Sequence, residues 1–179
     1  MNRLAVLILA GALISPCISY AQHGRHADEK GQEETAKVIN SLHYAMAVQA
    51  VPDQVPQFKA ATKSTAAARK NVQELQQKAA ANAAGVGADI KLVIQSVDQA
   101  KADNDTFVKN FTSPQKSLLK DFVKKLNKAD SEVTKSYREL DKAGDNMAKV
   151  AEAAEKLEKA LTDFQKDQAD LGAEMGIQS

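Results

Sequence analysis

The chain has 179 residues, with 24 Lys and Arg against 23 Asp and Glu, a single cysteine and no tryptophan. A balance this close to zero, without a clustered positive excess, argues against nucleic acid or an anionic membrane as partner. One cysteine cannot build a disulfide framework or a thiolate metal cage.

Residues 1–21 read as a signal peptide. Arg3 supplies the positive n-region, and Leu4 to Ile14, LAVLILAGALI, is an apolar run too short to span a bilayer. Pro16 breaks it, and Ser19-Tyr20-Ala21 is a small-x-small cleavage signal. Cleavage after Ala21 makes Gln22 the mature N-terminus of a protein exported to a bacterial periplasm or beyond. The rival is a lipid anchor on Cys17, within ISPC, although Pro16 stands where lipoprotein sites want a small, flexible residue. After cleavage at Ala21, 158 of the 179 residues remain, a size suited to one domain, and Cys17 is gone. Thiolate nucleophiles and cysteine-ligated haem go with it.

The expected fold class is all-α: an antiparallel, up-down four-helix bundle with an additional N-terminal helix. Residues 22–27 read as a flexible mature N-terminus, 28–171 as a single helical-bundle domain, and 172–179 as a flexible C-terminal tail. The N-terminal helix covers roughly Asp28 to Val51. Its second half, VINSLHYAMAVQAV, is apolar on nearly every side, which predicts burial across or along the bundle. It is too short to span a membrane and lacks the basic face of an interfacial anchor.

After VPDQVP four apolar series follow, each at alternating steps of three and four, as the seam of a packed helix requires. The first is Phe58, Ala61, Thr65, Ala68, Val72, Leu75, Ala79, Asn82; the second is Ile90, Val93, Val97, Ala100, Asn104, Phe107, Phe111. The third is Leu119, Phe122, Leu126, Ala129, Val133, Ser136, Leu140, Ala143; the fourth is Met147, Val150, Ala154, Leu157, Leu161, Phe164, Gln168, Leu171. In AGVGAD, Gly85 suits a left-handed helix end and Asp89 the next first turn. In TSP, Ser113 suits the N-cap and Pro114 the first helical position.

The third and fourth series stay in register through KAGDNM, so one helix from Pro114 to Leu171 would run about 87 Å. That exceeds a compact domain of this size, and a hairpin at Gly144, with Asp145 as cap, is expected instead. Residues 114–142 carry eight basic and five acidic side chains, residues 145–171 four and seven, so the two helices have complementary balances. The seams are rich in alanine. Their polar members, Thr65, Asn82, Asn104, Ser136 and Gln168, read as bundle ends or register-setting positions.

Chemistry is narrowed mainly by elimination. No Glu-x-x-His pair, Cys-x-x-Cys-His, His-Glu-x-x-His or glycine-rich phosphate loop occurs. Two metal readings survive. His23 and His26, with the amine of Gln22, could bind copper or zinc at the mature N-terminus. His43 and Met46, one helical turn apart, could offer soft ligands to a noncovalent haem or copper ion. No resident cofactor is expected.

FTSPQKSLLKDF, residues 111–122, resembles the L-T-x-x-Q helix start of small periplasmic stress chaperones of the Spy and CpxP kind. Phe111, Thr112 and Gln115 stand at the leucine, threonine and glutamine positions. The motif occurs once here and twice in that family, and the resemblance covers five residues. It implies binding to unfolded or partner proteins. The expected function is therefore a noncatalytic protein-binding scaffold, adaptor or chaperone-like module of the bacterial envelope, bound to a protein partner or to itself. A small-ligand or metal- or haem-binding helical bundle is the alternative, and nothing assembles an acid, a base and a nucleophile for an enzyme.

Overall fold

The structure, a computed structural model, describes residues 27–83 and 85–177, with side chains from Gly31 onward. The expected signal peptide with its expected cleavage point at Ala21 and Gln22, Cys17, and the histidines His23 and His26 lie outside these residues. The described chain is all-helical: α1 (Ala27–Val48), α2 (Gln54–Ala80), α3 (Val86–Lys109), α4 (Ser113–Leu118), α5 (Lys120–Ala143) and α6 (Met147–Glu174). It divides into two units, Met1–Ser41 and Leu42–Ser179, with the division inside α1.

In the first unit, every side chain from Gly31 to Ser41 is exposed. The second unit holds the core. The apolar seams are buried nearly as their spacing predicts, with Phe122 and Met147 only partly covered. α2 packs on α3 and α6, α5 packs on α6, and α3 touches α5 along a shorter stretch. One ion pair crosses each of these contacts: Lys78–Asp89 (2.7 Å) from α2 to α3, and Arg69–Glu158 (2.6 Å) from α2 to α6. Lys101–Asp130 (3.0 Å) joins α3 to α5, and Lys156–Glu139 (3.2 Å) joins α5 to α6. The last pair puts an acid on the basic helix and a base on the acidic one. The complementary balances of α5 and α6 are therefore not realised as cross-helix ion pairs among the described residues. Apolar burial, not charge, holds that contact, as expected for exposed pairs of small individual value.

The helix ends refine the sequence reading by one to three residues. The left-handed residue just past the end of α2 is Asn82, not Gly85: Asn82 takes a positive φ of 50°, with its N–H on the Ala79 carbonyl and the Ala83 N–H on the Lys78 carbonyl. This is a Schellman end with asparagine in the left-handed position, so Asn82 is an exposed cap and not a seam residue. Gly85 does adopt positive φ (89°), but as the residue preceding α3. Thr112, not Ser113, caps α4. Its hydroxyl accepts from the Gln115 N–H while the Gln115 side chain accepts from the Thr112 N–H, a closed capping box. The expected helix from Pro114 is interrupted at buried Leu119, which separates α4 from α5.

At the α5–α6 turn Gly144 has φ 55° and ψ −133°, a conformation reserved for glycine. Asn146 rather than Asp145 is the cap, accepting from the Lys149 N–H at 3.1 Å.

The tail expected from residue 172 is also corrected. α6 continues to Glu174, and Gly176 (φ 71°) closes it: its N–H reaches Ala173, and the Ile177 N–H reaches Gly172 at 2.9 Å. This second Schellman end folds Met175 and Ile177 onto the core, where both are buried. The reason is apolar: both side chains leave water only if the chain turns back there. Phe58, Phe107 and Phe111 form an edge-to-face cluster with ring centroids 5.2 and 5.1 Å apart.

Two glycine substitutions test these ends. Gly144→Ala should cost about 1 kcal/mol or more of unfolding free energy. Gly172→Ala would ordinarily favour a helix by about 1 kcal/mol, but here the new Cβ would come within 2.9 Å of three Phe58 ring carbons, Cζ the nearest. Overpacking should reverse the sign and lower stability by about 1–3 kcal/mol. Denaturant unfolding of both variants measures this, and a stabilised Gly172→Ala would show that Phe58 does not hold its place.

Candidate functional site

Among the described residues, eight large apolar side chains are exposed, and five of them lie on α1: Val38, Ile39, Leu42, Tyr44 and Met46. Leu42 and Met46, both in the second unit, are spaced at i and i+4, so they share one side of the helix. They are 51% and 68% exposed. Over Leu42 to Val48 the burial expected for this helix is confined to the last turn, where Val48 reaches the core. The four long seams are buried on one another instead. His43 and Met46 are both exposed on α1, so His43 is neither a packed core histidine nor enclosed with a second ligand. Among the described residues no group of three or more His, Cys, Asp or Glu side chains is placed to hold a metal ion. No helix among them is long and apolar enough to cross a membrane.

What anchors the end of α1 is a pair of buried glutamines that the seam periodicity does not reveal. Gln54, at the start of α2, and Gln115, in α4, are 1% and 0% exposed. Their amides bond reciprocally, Nε2 of Gln54 to Oε1 of Gln115 at 2.8 Å and the reverse at 3.0 Å. Gln54 also donates to the Asn110 carbonyl (2.8 Å) and accepts from the Val51 N–H (3.1 Å). Gln115 donates to the Gln49 carbonyl (3.0 Å) and accepts from the Thr112 N–H (2.8 Å). Every donor and acceptor of both amides is thus used, as buried polar groups require. The pair ties three backbone segments together: the exit of α1, the end of α3 and the start of α4. At the same end the Ala50 N–H donates to the Met175 carbonyl (3.0 Å). The Glu174 carboxylate, as hydrogen-bond acceptor, and then burial hold the Tyr44 hydroxyl above the usual phenol value. Of the two glutamines, Gln115 carried a sequence signal, its place in the capping box; Gln54 carried none.

The other buried amide pair is poorly satisfied. Gln168 donates to Asn104 at 3.3 Å, and its own Oε1 has no partner. Glu158 is the best-supported carboxylate. The Arg69 guanidinium binds its Oε1 through Nε (3.3 Å) and Nη2 (2.6 Å), Gln73 donates to it at 3.2 Å, and Arg69 Nη1 reaches Gln165 at 2.7 Å. The Arg69 bond, partly opposed by burial, lowers the Glu158 pKa below its ordinary 4.5. Asp167 moves the other way, raised by burial first and then by Asp170, with Lys125 opposing.

The two amide pairs should respond oppositely to substitution. Gln115→Leu leaves the Gln49 carbonyl and the Thr112 N–H without their partner and removes one bond from each amide atom of Gln54, so at about 1–3 kcal/mol per orphaned group a loss of about 2 kcal/mol or more is expected in denaturant unfolding. Replacing Asn104 and Gln168 together by leucine should be neutral or stabilising, since it removes an unpaired acceptor. For Glu158 the lowered folded-state pKa means a contribution fully present above the unfolded value and lost as pH falls through the lowered one. The stability difference between the wild type and Glu158→Gln should therefore be constant above about pH 5 and shrink below the ordinary glutamate pKa near 4.5. A difference independent of pH would show that the Arg69 contact does not favour the charged form.

Comparison of the chain with protein-family models, with curated proteins and with solved structures finds no match.

Proposed function

We propose that this protein is a noncatalytic, exported helical bundle of the bacterial cell envelope that binds other proteins, as a scaffold, adaptor or chaperone-like module. The observation that carries the reading is the uncovered apolar side of the second half of α1, where Leu42 and Met46 stand exposed one helical turn apart. Contiguous apolar surface of this kind in an otherwise well-buried chain marks an interaction site. It lacks the lysine-rich polar face that would direct it to a membrane surface, which favours a protein partner. The order of helix contacts and the short connections support an antiparallel, up-down four-helix arrangement for α2, α3, α5 and α6, with α4 leading into α5. The end knotted by Gln54 and Gln115 would hold the last turns of α1, from Leu42 on. The signal sequence ending at Ala21 supports a soluble periplasmic or secreted protein.

The test is site-specific photocrosslinking in the native compartment. A photoreactive side chain at Leu42 or Met46 should give discrete protein adducts that the same group at exposed Lys63, on α2, does not give. Absence of adducts at 42 and 46, or equal labelling at 63, would overturn the reading. Suppression of client aggregation by the purified protein, lost in Leu42→Asp/Met46→Asp, would assign the chaperone-like mode. Intact mass would show a chain starting at Gln22, against an acylated chain starting at Cys17.

A further inference from the structure

The end of α3, α4 and the first turn of α5 enclose a surface hollow of about 350 Å³. Val108, Phe111 and Val123 form its floor, and Lys109, Lys116 and Lys120 form its rim. The rim carries one sign only. The three lysines are exposed, and none takes part in an ion pair among the described residues. Other hollows on this surface are mixed in charge: one along α5 and α6 sets Lys125 and Lys128 beside Asp163 and Asp167, and another sets Lys135 and Lys156 beside Glu132 and Glu139. In those, positive charge is already neutralised within the chain. In the first it is left for something else.

We propose that this hollow receives one bulky apolar side chain of a partner polypeptide whose neighbouring residues are acidic. The proposal rests on the protein-binding reading above and names the chemistry of a second contact, separate from α1. The volume lies at the lower end of the range for enclosed small-molecule sites, about 300–1,000 Å³. It fits a single leucine or phenylalanine side chain, and its exposed rim cannot bury a long acyl tail. The floor supplies the apolar contact, and Phe111 is held in place by edge-to-face packing on Phe107. Lysine suits the rim because its ammonium is a point charge on a flexible stem. It meets carboxylates at varied spacing without the fixed fork that arginine imposes, while its stem extends the apolar wall. Charge of this exposed kind mainly speeds and selects encounter, so the binding should weaken with salt.

The experiment uses the full mature protein and fluorescein-labelled peptides followed by anisotropy. The probe is a short peptide with one phenylalanine flanked on both sides by glutamates; its controls replace phenylalanine by serine or the glutamates by lysines. Saturable binding of the probe is expected, weakened at least about tenfold by either peptide change, by high salt, and by Lys109→Glu/Lys116→Glu/Lys120→Glu. The milder Lys109→Gln/Lys116→Gln/Lys120→Gln set, checked by thermal unfolding, separates loss of charge from loss of fold. Leu42→Asp/Met46→Asp should leave probe binding intact, so failure of the α1 reading and failure of this one are distinguishable. The proposal is overturned if the probe does not bind, if the lysine variants bind it unchanged, or if the lysine-flanked peptide binds equally well. Binding of decanoate at the hollow without binding of the peptide would likewise overturn it, in favour of a small amphiphilic anion.

Discussion

Each of α2, α3, α5 and α6 carries one narrow apolar seam, and a narrow seam leaves water only against the seams of its neighbours. Alanine at Ala61, Ala68, Ala100, Ala129, Ala154 and Ala160 lets the backbones approach closely, but each alanine buries little area. The large contributions therefore concentrate in a few places: the leucines of α5 and α6, Leu75, Val72, and the phenylalanine cluster at one end. A core built this way is complete among α2, α3, α5 and α6. From Leu42 on, α1 keeps Leu42, Tyr44 and Met46 exposed and joins the core at Val48.

The ends of the helices are where the chain uses polar chemistry. Gln54 and Gln115 make a closed network in which every amide group is paired, so a buried polar knot costs little and holds three segments at once. The Asn104–Gln168 pair, deeper along the seams, is the contrasting case: one acceptor stays unpaired, and the pair is better understood as a register marker than as a stabiliser. Glycine and asparagine at positive φ finish α2 and α6, and the second of these ends carries Met175 and Ile177 back onto the core.

The proposed function starts from what is left over once the seams are satisfied. The exposed Leu42 and Met46 on α1 and the lysine-rimmed apolar hollow at the end of α3 are the two surfaces from which recognition of a partner is proposed: they offer apolar contact and charge.

The all-helical class, the positions of the four seams and the turn at Gly144 were legible in the sequence. The reason is that steps of three and four express a local geometry, 3.6 residues per turn, and glycine is tied to positive φ by its missing Cβ. The capping box at Thr112 was half legible, misplaced by one residue because Ser113 is an equally good cap by type. Two outcomes belonged to the tertiary structure alone. Whether the apolar half of α1 is covered depends on whether other helices leave it room, which no local pattern encodes. Whether Gln54 and Gln115 are buried depends on two residues 61 positions apart meeting as reciprocal partners. A glutamine is polar on any scale, and only a partner in space makes its burial favourable.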